Sequence, residues 1–214
     1  MRREEFGIDD AKTALVSGSH RALGRRFDAE RGVVTQALLF LGELDADAIG
    51  EAMAHATHYE PVPIPDFHAL LDEVPLDVIR RSTFVDVGSG LGRAVLLAME
   101  RPFKQIVGVE VSAALHETAR ENLRNARGFE PLCRDVRLVC GDARGFSYPP
   151  GDLITFLFNP FDDVALRDTL ARIAARDSPG ETWLLYHTPA RAALTIDGFK
   201  RIATLDCGFV ARWG

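Results

Sequence analysis

The stretch "TFVDVGSGLGRAVLLAME", residues 83–100, joins an apolar run to a helical pattern through three glycines at alternate positions, with Asp86 just ahead of them. "FVDV" (84–87) has the composition of a buried strand, and the apolar residues after Gly92 predict a helix over 92–100. Gly88, Gly90 and Gly92 allow positive φ and let a ligand approach the backbone with no Cβ in the way. Ser89 lies among them. The N–H groups of a helix opening at Gly92 would face the same spot, where they suit a carboxylate or phosphate. Spacing narrows the choice. The dinucleotide fingerprint G-x-G-x-x-G/A needs a small third residue for close helix–strand packing. Counting from Gly88 puts Arg93 there, and counting from Gly90 puts Val95. What fits is acid-x-G-x-G-x-G, Asp86 through Gly92.

The same alternation continues down the chain. Strands are predicted at 105–111, 136–140, 152–158 and 182–187, with helices over 113–126 and 163–176 among them. Two last strands, 199–207 and 209–213, are separated by almost nothing and predict a closing hairpin. Short apolar runs alternating with amphipathic helices imply an α/β fold: a Rossmann-like, doubly wound, mostly parallel seven-stranded sheet with a C-terminal antiparallel hairpin. Ligands in such sheets bind outside the carboxyl ends of the strands. Upstream, residues 10–56 read as helical: Val33, Ala37, Phe40, Leu41 and Leu44 follow a three-four spacing, and Ile49, Met53 and Ala56 continue it. "HYEPVPIPDF" (58–67) follows, and its alternate prolines predict a stiff extended connector, with Asp66 capping a short helix through Leu71. The division expected is a helical cap with its connector over 1–80, part of the same domain as a core over 81–214.

The 214 residues suffice for one good core. No apolar run is long enough to span a membrane, and the charged N-terminus lacks a secretory h-region. Cys133, Cys140 and Cys207 are odd in number and lack metal-ligand spacing, so reduced thiols in a cytoplasmic protein are expected, and no metal. The net charge of −6 is uneven: +1 over residues 1–31, −7 over 32–83 and zero over 84–214. That balance disfavours a nucleic-acid partner, whose binding face is normally basic. Nothing in the sequence sets an oligomeric state.

The glycine motif resembles the first motif of class I S-adenosylmethionine (SAM) methyltransferases, and the likeness runs from about residue 80 to the end. It implies an enzyme with SAM as cofactor. Glu110, in "VGVEVS", falls where the family places an acid that accepts both ribose hydroxyls. Val111 would pack on the adenine face. Asp142, in "VCGDAR", matches an acid used on the adenine amino group, with the Ala143 N–H near the ring. Asn159, in "LFNPFD", matches the residues nearest the transferred methyl, where it would contact cofactor and orient an amine. SAM carries a sulfonium and an ammonium, so acids suit its pocket. "FDAERGVVT", "HYEPVPIPDF", the glycine motif and "LFNPF" together are similar to a group of uncharacterised bacterial class I methyltransferases, many of which carry Lys where this chain has Leu91.

Tyr59 is expected to touch the methionine end of SAM and to count with Asn159 as a catalytic residue. His58 would serve as a base near neutral pH, His187 falls where an acceptor would bind, and Phe156 and Phe158 belong to the core. The acceptor is left open between a small molecule and a protein amine, with "GSG" and "NPF" similar to elements of seven-strand lysine methyltransferases. "NPFD" partly matches the [DN]-P-P-[FYW] motif of nucleic-acid amino-methyltransferases, but Phe161 replaces the second proline. A nicotinamide oxidoreductase and a non-catalytic SAM-binding module are the rival readings.

Overall fold

The structure, a computed structural model, describes residues 7–37, 39–40, 58–158, 163–176, 179–188 and 198–213. Its centre is a seven-stranded sheet. The strands are β3 (Thr83–Val87), β4 (Gln105–Glu110), β5 (Val136–Cys140), β6 (Gly151–Phe158), β7 (Pro179–His187), β8 (Phe199–Leu205) and β9 (Gly208–Trp213). Their order is β5-β4-β3-β6-β7-β9-β8. The first five are parallel, and β9 runs antiparallel to both β7 and β8. The mostly parallel sheet and its terminal hairpin are therefore as the sequence predicts, with β9 inserted between β7 and β8.

Alternation along the strands divides the core into two. On one face Phe84, Ile106, Ile154, Phe156, Leu185 and Val210 pack beneath α2 (Ile64–Asp72), α3 (Leu76–Arg81) and α4 (Arg93–Ala98). On the other, Val85, Val107, Leu153, Leu157 and Tyr186 meet Leu166, Leu170 and Ile173 of α6 (Asp163–Ala174). By the same parity Asp86, Glu110 and His187, at strand ends, fall on the first face. The strand order reverses between β3 and β6, the switch point at which such sheets take ligands. α5 (Ala113–Asn125) crosses from β4 to β5, capped by the Ser112 hydroxyl, which accepts from Leu115 N.

The N-terminal region departs from its predicted form. α1 (Gly7–Arg31) stops at Gly32, whose φ of 67° is the left-handed conformation that ends helices. Residues 33–37 are then extended, and β1 (Leu39–Phe40) pairs antiparallel with β2 (His58–Tyr59). So the three-four spacing through Val33, Ala37 and Phe40 is not a helical stripe. The rest of that predicted helix, with Leu41, Leu44, Ile49, Met53 and Ala56, lies outside the described residues.

The proline connector also ends early. Pro63 is the N-cap of α2 and Pro65 sits in its first turn, a place where the missing N–H costs nothing. Asp66 does not cap that helix; its carboxylate turns to His187 instead. α3, unpredicted, is only six residues long and begins after Pro75.

Candidate active site

The glycine turn is held by the end of β4. Gly88 N and Ser89 N both donate to the Val109 carbonyl, at 2.9 and 3.0 Å, and Gly92 N donates to Ser89 O at 2.8 Å. All three glycines have positive φ (77°, 52° and 85°). At Gly90 a side chain is excluded twice over, because an added Cβ would overlap the Tyr59 ring. Gly108 opposite lets the turn fold back over the sheet, since a Cβ there would press on the Ser89 hydroxyl and Val95.

Glu110 closes the turn from below. Its Oε2 accepts from Gly90 N at 2.7 Å and its Oε1 from Ser112 N at 2.8 Å. Burial pushes its carboxyl above the usual range, and the N–H groups of Ser112, Gly90 and Val111 hold it down in part. Asp86, also buried, is pushed up to about 8, first by loss of water and then by the nearby Glu110 charge. Neither acid forms an ion pair among the described residues. Two buried carboxyls side by side without a cation are costly in an isolated protein and fit a ligand that brings hydrogen-bond donors or positive charge.

Asp142 lies past β5, and the backbone links it to the same edge, since Gly141 N donates to the Glu110 carbonyl at 2.8 Å. Its carboxylate is occupied by Arg144, which donates from its backbone N at 2.8 Å and from Nε and Nη2 at 2.6–3.1 Å. Sequence reasoning did not single out Arg144. Ala143 is buried beside Tyr148, whereas Val111 is half-buried. Asn159 lies outside the described residues.

The N-terminal segment grips this turn. Tyr59 is buried, with its ring on Gly90 and its hydroxyl donating to the Thr35 carbonyl at 2.8 Å. Burial raises its pKa far above the ordinary phenol value. Buried Arg93 donates to Thr35 Oγ1 and Gln36 Oε1, at 2.8 and 2.9 Å, and pairs with Asp28 at 3.4 Å. Buried Asn122 accepts from Val34 N and donates to the carbonyls of Val34 and Leu91. Asp28, Arg93 and Asn122 were not predicted, although "FDAERGVVT" holds the segment they bind.

At the far side of the same edge, His187 ends β7 with its ring edge-on to Phe158, centroids 4.4 Å apart. Phe156 is in the core and Phe158 packs against it, as expected.

Residues 84–180 match a methyltransferase domain family. No curated protein sequence matches the chain. Three solved structures share the fold. An RNA methyltransferase from Salinibacter ruber, in complex with S-adenosyl-L-homocysteine, is 22% identical with a TM-score of 0.50, over 72% of this chain and 92% of that one. A candidate methyltransferase, yhhF from Escherichia coli, is 17% identical with a TM-score of 0.51, over 69% and 81%. A candidate methylase from Haemophilus influenzae is 14% identical with a TM-score of 0.51, over 68% and 84%. Residues 84–180 thus resemble a methyltransferase domain in sequence, and the sheet resembles methyltransferases in fold.

Proposed function

We propose that this chain is a SAM-dependent methyltransferase whose acceptor is a small molecule or a protein amine. The observation that carries the binding site is the pair of buried acids, Asp86 and Glu110, around a glycine turn that admits no side chain at Gly90. SAM, when bound, supplies an electrophilic methyl group on a sulfonium sulfur. The Glu110 oxygens accept from Gly90 N and Ser112 N and have acceptor capacity left for the ribose hydroxyls. Asp86 carries a proton near neutral pH and gives it up when a cationic group arrives. Gly88, Ser89, Gly90 and Gly92 form the floor, and Val111 and Ala143 bound the adenine. Asp142 accepts the adenine amino group once Arg144 releases an oxygen. Tyr59 contributes a wall, because its hydroxyl is committed to Thr35 and too weak an acid to exchange protons. Asn159 orients the acceptor beside the methyl, so that alignment supplies most of the rate.

Residues 1–80 then form a cap and connector within the same domain as the core. In support, Phe27, Val33, Val62 and Phe67 share one hydrophobic cluster with Phe84 and Leu97. Among the described residues no helix is long and apolar enough to cross a membrane. The acidic stretch before the glycine turn supports a non-nucleic acceptor.

A thermal-shift series with SAM, S-adenosylhomocysteine, NAD and NADP tests the cofactor, and labelled SAM with fractionated lysate tests the acceptor. Shifts with SAM and its product alone, and label in the metabolite or protein fraction, support the proposal. Label in nucleic acid establishes the amino-methyltransferase alternative. Binding without label in any fraction leaves a non-catalytic module, and a nicotinamide shift overturns the cofactor assignment.

A further inference from the structure

We propose that Asp66, His187 and Cys207 form a zinc-binding site at the carboxyl edge of β7. The three are remote in sequence and come from α2, the last residue of β7 and the turn between β8 and β9. Topology brings them together. β9 runs antiparallel to β7 with Gly208 opposite His187, which sets Cys207 beside the histidine, and α2 packs over the same face. His187 Nε2 lies 2.9 Å from Asp66 Oδ2, and Cys207 Sγ lies 4.0 Å from the Asp66 carbonyl oxygen. One donor atom from each of the three residues lies within 4.8 Å of the other two.

The donor set is one imidazole nitrogen, one thiolate and one carboxylate oxygen, a mixture that suits zinc better than calcium or magnesium. Zinc bonds of about 2.0–2.3 Å put neighbouring donors roughly 3.2–3.8 Å apart, so the widest pair closes by roughly 1–1.6 Å while the His187–Asp66 pair opens slightly. The ion takes the place of the proton between His187 and Asp66, and the Cys207 thiol loses its proton to solvent. The imidazole is already held from behind, with Nδ1 2.9 Å from Thr188 Oγ1. With zinc on Nε2, Nδ1–H donates to that hydroxyl, the outer contact that metal-bound histidines usually have.

Thr188 adds a separate sign. Its φ of 48° makes it the one non-glycine residue with positive φ among the described residues, and its N–H donates to the Cys207 carbonyl at 2.9 Å. A β-branched residue in that conformation is strained, and such strain gathers at functional sites. The site requires no particular methyl acceptor and stands apart from the cofactor assignment.

The test uses the full chain, stripped with chelator and reloaded with zinc, with metal measured by plasma mass spectrometry. About one zinc per chain is expected, falling at least tenfold in Cys207→Ser and His187→Ala and unchanged in Cys140→Ser. Cobalt loaded in place of zinc should show a thiolate-to-cobalt charge-transfer band that Cys207→Ser removes. The wild-type chain supplies a readout free of any folding defect: zinc should protect Cys207 from alkylation while exposed Cys140 still reacts. No bound zinc in the wild type overturns the site. So does a cobalt band that survives in Cys207→Ser, or alkylation of Cys207 at the same rate with and without zinc.

Discussion

Asp86, the penultimate residue of β3, is a buried carboxyl beside Glu110, and its titration follows from that. Its folded pKa, about 8, lies above the unfolded value of 3.8. The unfolded chain therefore loses this proton first as pH rises, and the stability the protonated form supplies is complete below about pH 4 and drains away through pH 8. Urea unfolding of the ligand-free protein at pH 5.5 and pH 8 should show lower stability at pH 8, and Asp86→Asn should flatten the difference. A cationic ligand reverses the preference, since it favours the ionised carboxylate. Calorimetry of SAM binding near pH 7, in buffers of different ionisation enthalpy, should then show release of up to about one proton, absent in Asp86→Asn. Glu110 predicts a different loss. Glu110→Ala strands the N–H groups of Gly90 and Ser112 and removes the ribose acceptor, so SAM affinity should drop at least about tenfold. An affinity within a factor of two of wild type would refute the ribose assignment.

Among the elements, the extended segment 33–37 is held to the glycine turn by α5. Asn122 spends its amide on Val34 and on Leu91, the residue between Gly90 and Gly92. Asn122→Ala leaves the buried Leu91 carbonyl without that donor, while exposed Val34 can recover water. The expected loss is about 1–3 kcal/mol of stability, measured by denaturant unfolding. How far these elements were legible depended on what marks them. The inner parallel strands β3, β4, β6 and β7 were readable because both their faces are largely buried and their sequences are apolar runs. β5, a half-exposed edge strand, was readable from Val136, Leu138 and Val139. The end of α1 was misread because Val33, Ala37 and Phe40 keep a helical spacing, although Gly32 marks the stop. α3 was missed because six residues are too few to show a period. The acids at strand ends were legible from order alone, as Asp86 and Glu110 lie in the last two positions of successive strands. Arg144 and the Asp66–His187–Cys207 cluster were not, since the first pairs with a neighbour by rotamer and the second joins residues up to 141 positions apart.

Across the whole molecule, folding and ligand binding meet at the glycine turn, and that meeting is measurable. A ligand that binds only the folded state stabilises by RT ln(1 + [L]/Kd), about 2.7 kcal/mol at a hundredfold excess, which for a chain of this size raises Tm by roughly 5–10 °C. A mutation remote from the site lowers Tm but leaves that increment unchanged, because it does not alter Kd. Leu170, on the buried side of α6 against the opposite face of the sheet, is such a position, and Leu170→Ala should cost about 2–5 kcal/mol. Asn122→Ala costs no more in stability, yet it loosens the turn itself through Leu91. The increment with S-adenosylhomocysteine should therefore survive in Leu170→Ala and shrink in Asn122→Ala. The two destabilisations should be additive with each other and only the second non-additive with ligand. Equal increments in both variants would mean that the turn keeps its binding shape without the N-terminal segment, and that Asn122 serves stability alone.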